Sequence, residues 1–133
     1  MAKSGSQPRP LRALVVAPEL DVTRVMRGLR AARCIPELAR DVDDALRRLE
    51  RAPAIDVLIL DGLPDADRDR LLAAGRERGA WCVYLRGPEW SSLPPAHRHE
   101  FVAALAIDAD EAQVASTVAT ILAARRAPQL GSG

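Results

Sequence analysis

Acidic residues that directly follow apolar runs are the side chains of this chain best placed to do chemistry. The apolar run 55–60 is followed by Asp61, and an earlier run ending at Ala17 is followed by Pro18 and Glu19. Carboxylates at the ends of neighbouring parallel strands meet at one edge of a sheet, where the functional crevice of such sheets lies. We therefore expect a functional site at that edge.

Other polar clusters give weaker signals. His97 and His99 lie two residues apart in a proline-rich segment, without the further ligands that a zinc site requires. Asp41, Asp43 and Asp44 are typical of the first turn of a helix, where the helix dipole favours negative charge. The sequence contains neither a glycine-rich phosphate loop nor a nucleophile elbow. We expect no metal site and no cofactor.

Length and charge restrict the class of protein. The chain has 133 residues, 48% of them hydrophobic, and a formal charge of +1, which fits one compact domain without a strong overall field for nucleic acid or an anionic membrane. No apolar stretch is long enough to span a bilayer, so a cytoplasmic protein is expected. Cys34 and Cys82 lie in apolar segments and are expected to be buried, reduced thiols.

Alternating apolar runs and amphipathic segments predict the elements that position the acids. Strands are expected over 11–17, 34–39, 55–60, 81–85 and 101–107. Helices are expected to begin near Asp21, Asp41, Asp65 and Asp110, with the side chains of Asp21 and Asp41 as N-caps. Pro36 cannot donate a ladder hydrogen bond and predicts that the second strand lies at an edge. The third strand is apolar on both faces and is predicted to lie in the centre.

Three of the helices show an apolar stripe at helical spacing that predicts their buried faces. The stripes comprise Val22, Val25, Met26 and Leu29, then Val42, Ala45, Leu46 and Leu49, and finally Val114, Val118, Ile121 and Leu122. Between residues 86 and 100, one glycine and several prolines predict a long loop with at most a short helix.

Together these elements predict an α/β, flavodoxin-like fold: a five-stranded parallel sheet of order 2-1-3-4-5 with helices on both faces and the fourth helix short or replaced by a loop. The domain is expected over 11–126, after a disordered lead (1–10) and before a flexible tail (127–133). The crevice beyond the carboxyl ends of the strands would then contain Ala17, Pro18, Glu19, Asp61, Arg86 and Asp108.

This arrangement, with Asp61 directly after the third strand, resembles the receiver domains of bacterial response regulators over residues 11–126. The resemblance implies a fold built for phosphoryl transfer. Receivers use an accepting aspartate, an acidic pair that holds a divalent cation, a hydroxyl after the fourth strand and a lysine after the fifth. The cation and the lysine offset charge on the transferred group.

The chain departs from this pattern at most of those positions. Ala17 and Pro18 stand where the family has the acidic pair, Arg86 stands in the place of the hydroxyl, and Ile107 or Asp108 stands in the place of the lysine. The single lysine of the chain lies in the amino-terminal lead. The resemblance therefore implies a remnant pocket in which the usual chemistry is dismantled.

Asp61 remains at the phospho-acceptor position and is open to several interpretations. It can act as a residual acceptor with Glu19 as a partial substitute for the acidic pair, accept local hydrogen bonds near the next helix, or form a fixed ion pair with Arg86. Trp90 in the proline-rich loop is a possible partner contact or a cover for the shortened fourth helix. The alanines 115, 119 and 123 of the last helix permit a homodimer.

The leading hypothesis is a pseudo-receiver: a non-enzymatic protein-interaction module of bacterial signalling, with a protein partner and no role in binding nucleic acid or membrane. One alternative is an atypical active receiver that a histidine kinase phosphorylates on Asp61. A second alternative is a flavodoxin-like protein that binds a small molecule.

Overall fold

The computed structural model describes residues 10–17, 22–51, 54–60, 63–86, 103–106 and 108–126. The strands are β1 (Arg12–Val16), β2 (Ile35–Ala39), β3 (Val57–Leu60), β4 (Trp81–Arg86) and β5 (Ala103–Ala106). The helices in these ranges are α1 (Thr23–Ala31), α2 (Val42–Glu50), α3 (Asp65–Glu77) and α4 (Glu111–Arg126). No helix within the described ranges is long and apolar enough to cross a membrane.

The strands form one parallel sheet in the order β2-β1-β3-β4-β5, which confirms the predicted flavodoxin-like topology. β2 lies at an edge, and Pro36 pairs with Ala13 of β1. β3 lies in the centre between β1 and β4. The apolar run after residue 100 is confirmed as a strand by the pairing of β5 with β4. The predicted loop at 86–100 lies, after Arg86, outside the described residues.

The sheet separates two apolar cores. α1 and α4 pack on one face and α2 and α3 on the other. Along β1, Ala13 and Val15 enter the first core, whereas Leu14 and Val16 enter the second, so both faces of the strand are buried. Cys34 and Cys82 are both buried but lie in different cores, and they therefore do not form a disulfide with each other.

The predicted helix faces are confirmed, since every residue of the three apolar stripes is buried or packs against a core. The capping predictions are confirmed only in part. The side chain of Asp41 accepts a hydrogen bond from the backbone N–H of Asp44 at 2.7 Å. The N-cap of α1 is Val22, which offers no side-chain acceptor, rather than the predicted Asp21, which lies outside the described residues.

α1 and α4 approach each other closely because α1 has a glycine at the contact. A Cβ atom at Gly28 would lie 2.6 Å from Cγ2 of Val114, which is fully buried. Any larger residue at position 28 would force the two helices apart. Gly28 therefore sets the distance at which α4 covers this face of the sheet.

Asp56 joins β1 to the entrance of β3. It is 6% exposed, and its Oδ2 accepts a hydrogen bond from the backbone N–H of Arg12 at 2.9 Å. The backbone N–H of Asp56 donates in turn to the carbonyl of Arg12 at 2.8 Å. The two reciprocal bonds fix the register in which β1 and β3 pair.

The charge of Asp56 also acts on a neighbouring thiol. Burial raises the pKa of the Cys34 thiol, and the negative charge of Asp56 raises it further.

Removal of this acceptor is expected to destabilise the domain. Asp56→Ala leaves the Arg12 N–H without its side-chain partner, and we expect a loss of about 1–3 kcal/mol in the free energy of unfolding. Asp56→Asn keeps an acceptor oxygen and should lose less. Urea unfolding followed by circular dichroism measures both variants. Equal loss in the two would show that the charge of Asp56, and not its hydrogen bond, stabilises the fold.

An ionic cluster holds β2 and α2 against β1. The two carboxylate oxygens of Glu37 accept from Arg12 at 2.9 Å and from Arg48 at 2.8 Å, and Arg48 also donates to Asp44 at 3.0 Å. Partial burial by itself raises the pKa of the Glu37 carboxyl, but hydrogen bonds and positive charge from Arg12 and Arg48 outweigh it, so the pKa lies below its ordinary value. The ionised form of Glu37 is thus favoured by folding.

The pH dependence of stability follows from the direction of that shift. Because the pKa of Glu37 is lower in the folded chain, its stabilisation is present above the unfolded value of about 4.3 and is lost as pH falls through the folded value. Glu37→Gln should lower the free energy of unfolding by about 1–2 kcal/mol at pH 7, a value between the contribution of an exposed ion pair and that of a buried hydrogen bond to a charged group. The loss of stability caused by this substitution should be smaller at pH 3.5.

The matched control is Glu50→Gln, at the exposed last position of α2. It removes the same charge without touching the cluster. Urea unfolding at pH 7 and pH 3.5 should therefore show a loss of stability that becomes smaller at the lower pH for Glu37→Gln but not for Glu50→Gln. A deficit at position 37 that is independent of pH would contradict the assignment.

Candidate functional site

The carboxyl ends of the central strands form the candidate site. Val16 of β1 pairs with Leu60 of β3, and Leu60 pairs with Tyr84 of β4, so these strands reach the same edge of the sheet in register. α3 begins at Asp65, shortly after the end of β3. In open parallel sheets this edge is where ligands bind.

The structure describes only part of the predicted remnant pocket. Ala17 and Asp108 lie within the described residues, and Arg86 is the last residue of β4. The side chain of Arg86 and the whole of Pro18, Glu19, Asp61, Trp90 and Ile107 lie outside them. The roles of these residues stay predictions.

Ala17 continues the pairing of β1 by one residue and carries no ligand atom in its side chain. It is fully buried, and its methyl group belongs to the core beneath α1 and α4. Its N–H donates to the carbonyl of Ala39 at 3.2 Å, and its own carbonyl accepts from Nη1 of Arg40 at 2.9 Å. Both the N–H and the carbonyl of Ala17 thus form hydrogen bonds within the fold.

Arg40 places a positive charge at the end of β1. It follows β2 directly and reaches across to the carbonyl of Ala17. Arg40 was not among the residues predicted from the sequence, although an arginine immediately after the edge strand was a usable signal because the end of that strand adjoins the end of β1.

Arg68 brings a second guanidinium to the first turn of α3. It is 3% exposed, and its Nη2 lies 3.0 Å from the exposed carboxylate of Asp65. A second carboxylate, that of Asp69, lies 4.0 Å from Nε. The segment around Arg68 alternates acids with arginines and looks solvent-exposed throughout, so no sequence signal marks it as buried.

The segment after β5 is joined to α1 through Asp108. Asp108 is exposed, and its backbone carbonyl accepts from Nη1 of Arg24 at 3.3 Å. This bond ties α1 to the segment that leads into α4. Within the part of the chain that the structure describes, no group of three His, Cys, Asp or Glu side chains could hold a metal ion.

Solved structures identify the fold. A signal receiver domain of an HD domain-containing protein from Pseudomonas fluorescens Pf-5 gives a TM-score of 0.73 at 21% identity, covering 90% of this chain and 92% of that one. A response regulator receiver domain from Clostridium thermocellum gives 0.69 at 16%, covering 87% and 97%. A CheY-like receiver domain from Methylobacillus flagellatus gives 0.69 at 21%, covering 84% and 98%.

Comparisons with protein-family models and with curated protein sequences give no match. The fold of this chain is therefore that of receiver domains, at identities too low to transfer chemistry residue by residue. What the site can do depends on its own side chains.

The predicted ion pair between Arg86 and Asp61 can be tested by double-mutant analysis. If the guanidinium of Arg86, at the end of β4, holds the carboxylate of Asp61, Arg86→Ala and Asp61→Ala should show a coupling energy of roughly 0.5–3 kcal/mol in unfolding. Urea unfolding of the single and double variants measures it. Effects that add within about 0.5 kcal/mol would exclude a direct contact.

Proposed function

We propose that this chain, which has the fold of response regulator receiver domains, is a pseudo-receiver of two-component signalling. It acts in the bacterial cytoplasm as a protein-interaction module and not as an enzyme. Magnesium-dependent phosphorylation of Asp61 does not operate in it. The position of Ala17 carries this proposal.

Ala17 lies at the end of β1, where a receiver supplies the acidic pair for its divalent cation. Hard cations need carboxylate or carbonyl oxygen ligands. The side chain of Ala17 has none, and its carbonyl is already bonded to Arg40 at 2.9 Å. This supports the loss of the cation, and with it the loss of the charge compensation on which phosphoryl transfer depends.

The fixed charge of Arg40 further opposes a divalent cation at this edge. Arg40 is exposed, so water weakens this repulsion, but its charge is covalently attached and cannot leave, in contrast to a bound magnesium ion.

The retained aspartate after β3 favours one competing function, an atypical active receiver with Glu19 as the remaining acid. Loss of a single preorganised electrostatic group typically slows an enzyme about 10²–10³-fold. Here the cation ligands and the lysine are both replaced, so the pseudo-receiver is the better supported proposal. Its partner is a protein, and the exposed alanines 115, 119 and 123 of α4 are available for a second copy of the chain.

The proposal predicts no response to a phosphoryl mimic. Addition of millimolar Mg²⁺ with beryllofluoride should leave the amide spectrum unchanged, because neither Ala17 nor Pro18 supplies a cation ligand. Two-dimensional amide NMR measures this response. Mass spectrometry after incubation with acetyl phosphate should show no phosphoryl adduct.

A receiver domain with an intact acidic pair, measured in the same buffer, is the positive control. Chemical shift changes in this chain around residues 17, 60 and 63, at a Mg²⁺ concentration that saturates the control, would establish the active receiver instead. So would an adduct that disappears in Asp61→Ala.

A further inference from the structure

An open groove lies on the outer side of the molecule, between α1 and the edge strand β2. It has a volume of about 220 Å³ and is lined by Val22, Thr23, Met26, Arg30, Leu38 and Arg40. Its apolar part comes from Met26 and Leu38, which also pack against the core below. Arg30 and Arg40, both exposed, supply its positive charge.

The described surface of α1 and of the turn that follows it is strongly basic, although the chain as a whole is almost neutral. Arg24, Arg27, Arg30 and Arg33 are all exposed, and no acid occurs between residues 22 and 36. Among the described residues none of these four arginines forms an ion pair. Arg24 donates only to a neutral carbonyl, that of Asp108. Their charge is therefore available to an external anion.

Helices α2 and α3 are different. Each contains an arginine that pairs with an acid of its own helix, as Arg48 does with Asp44 and Arg68 does with Asp65. α1 has no acid in its first turn, and its N-cap provides no side-chain acceptor. The positive end of its dipole thus adds to the field at the groove.

We propose that the groove between α1 and β2 binds an acidic segment of a partner protein, with one apolar side chain of that segment between Met26 and Leu38 and its carboxylates on Arg30 and the neighbouring exposed arginines of α1. This inference rests on the proposed interaction function, for which it names a surface and a partner chemistry. Charge complementarity selects the segment, and the apolar part of the groove fixes its position.

Size and chemistry favour a protein segment over other anions. The groove is smaller than the roughly 300–1,000 Å³ typical of small-molecule sites, but it can take one apolar side chain. A nucleic acid backbone would use the arginines and leave Met26 and Leu38 unused. A membrane surface would need a wide apolar face, and among the described residues Ile35, at 39%, is the one exposed large hydrophobic side chain.

Addition of a partner strand to β2 is also disfavoured. Pro36, in the second position of this five-residue strand, has no N–H to donate to a new neighbour. Recognition through side chains in the groove does not need that hydrogen bond. The segment is therefore expected to dock across α1 and not to extend the sheet.

The test uses an array of ten-residue peptides in which glutamates flank one apolar residue whose type and spacing vary. Fluorescence anisotropy with the full chain should find members that bind at least tenfold more tightly than versions with serine at the apolar position or glutamine at the acidic ones. Amide shifts should cluster at residues 22–30 and 38–40. Binding should weaken as salt rises.

Charge-reversed variants locate the site. Arg30→Glu should weaken peptide binding at least tenfold, and Arg27→Glu, one turn earlier on the same exposed side, should weaken it less. Arg70→Glu makes the same charge change at an exposed position of α3, on the opposite face of the sheet, and should leave binding unchanged. Thermal melting confirms that the variants are folded, as expected for exposed sites.

Several outcomes would overturn the inference: no binding by any peptide at millimolar concentration, equal weakening by Arg30→Glu and Arg70→Glu, or tighter binding of a single-stranded oligonucleotide or of anionic lipid vesicles at the same residues. The failure of the proposed function is separate. A shift produced by Mg²⁺ and beryllofluoride would refute the pseudo-receiver, whereas peptide binding at the groove is measured without Mg²⁺ and tests the inference by itself.

Discussion

The register between β1 and β3 is the constraint on which the rest of the structure depends. Both strands are buried on both faces, so a slip of one residue would turn every side chain of β1 toward the wrong core. Asp56 prevents that slip, because its carboxylate and its backbone N–H bond both polar backbone groups of Arg12. With β1 held in this register, Ala17 must lie at the end of the sheet beside the end of β3.

In the proposed pseudo-receiver, fixed positive charge takes the place of a bound cation at that end of the sheet. A working receiver binds a cation that balances the transferred phosphoryl group. Among the described residues of this chain, Arg40 bonds the carbonyl of Ala17, and Arg68 lies almost fully buried beside Asp65. Both guanidinium groups are part of the fold, which supports a function that does not depend on a bound cation.

Local patterns predicted those features that depend on neighbours in sequence. Apolar periodicity predicted the strands and buried helix faces, Pro36 predicted the edge position of β2, and Asp41 was predicted as a cap. Arg40, Arg68 and Gly28 were missed because their roles arise from elements distant in sequence. The reach of Arg40 depends on β2 lying beside β1, and the requirement for glycine at position 28 depends on where α4 places Val114.

Arg40 belongs both to the end of β1 and to the groove beside α1. Its Nη1 bonds the carbonyl of Ala17, and the same residue lines the groove. An acidic segment in the proposed groove would therefore lie beside the charge that Arg40 places at Ala17, although Ala17 would still offer no side-chain ligand. The two proposals thus meet at one guanidinium. Under both of them, a bound partner would add negative charge near the end of β1 without supplying the cation ligands that phosphoryl transfer needs.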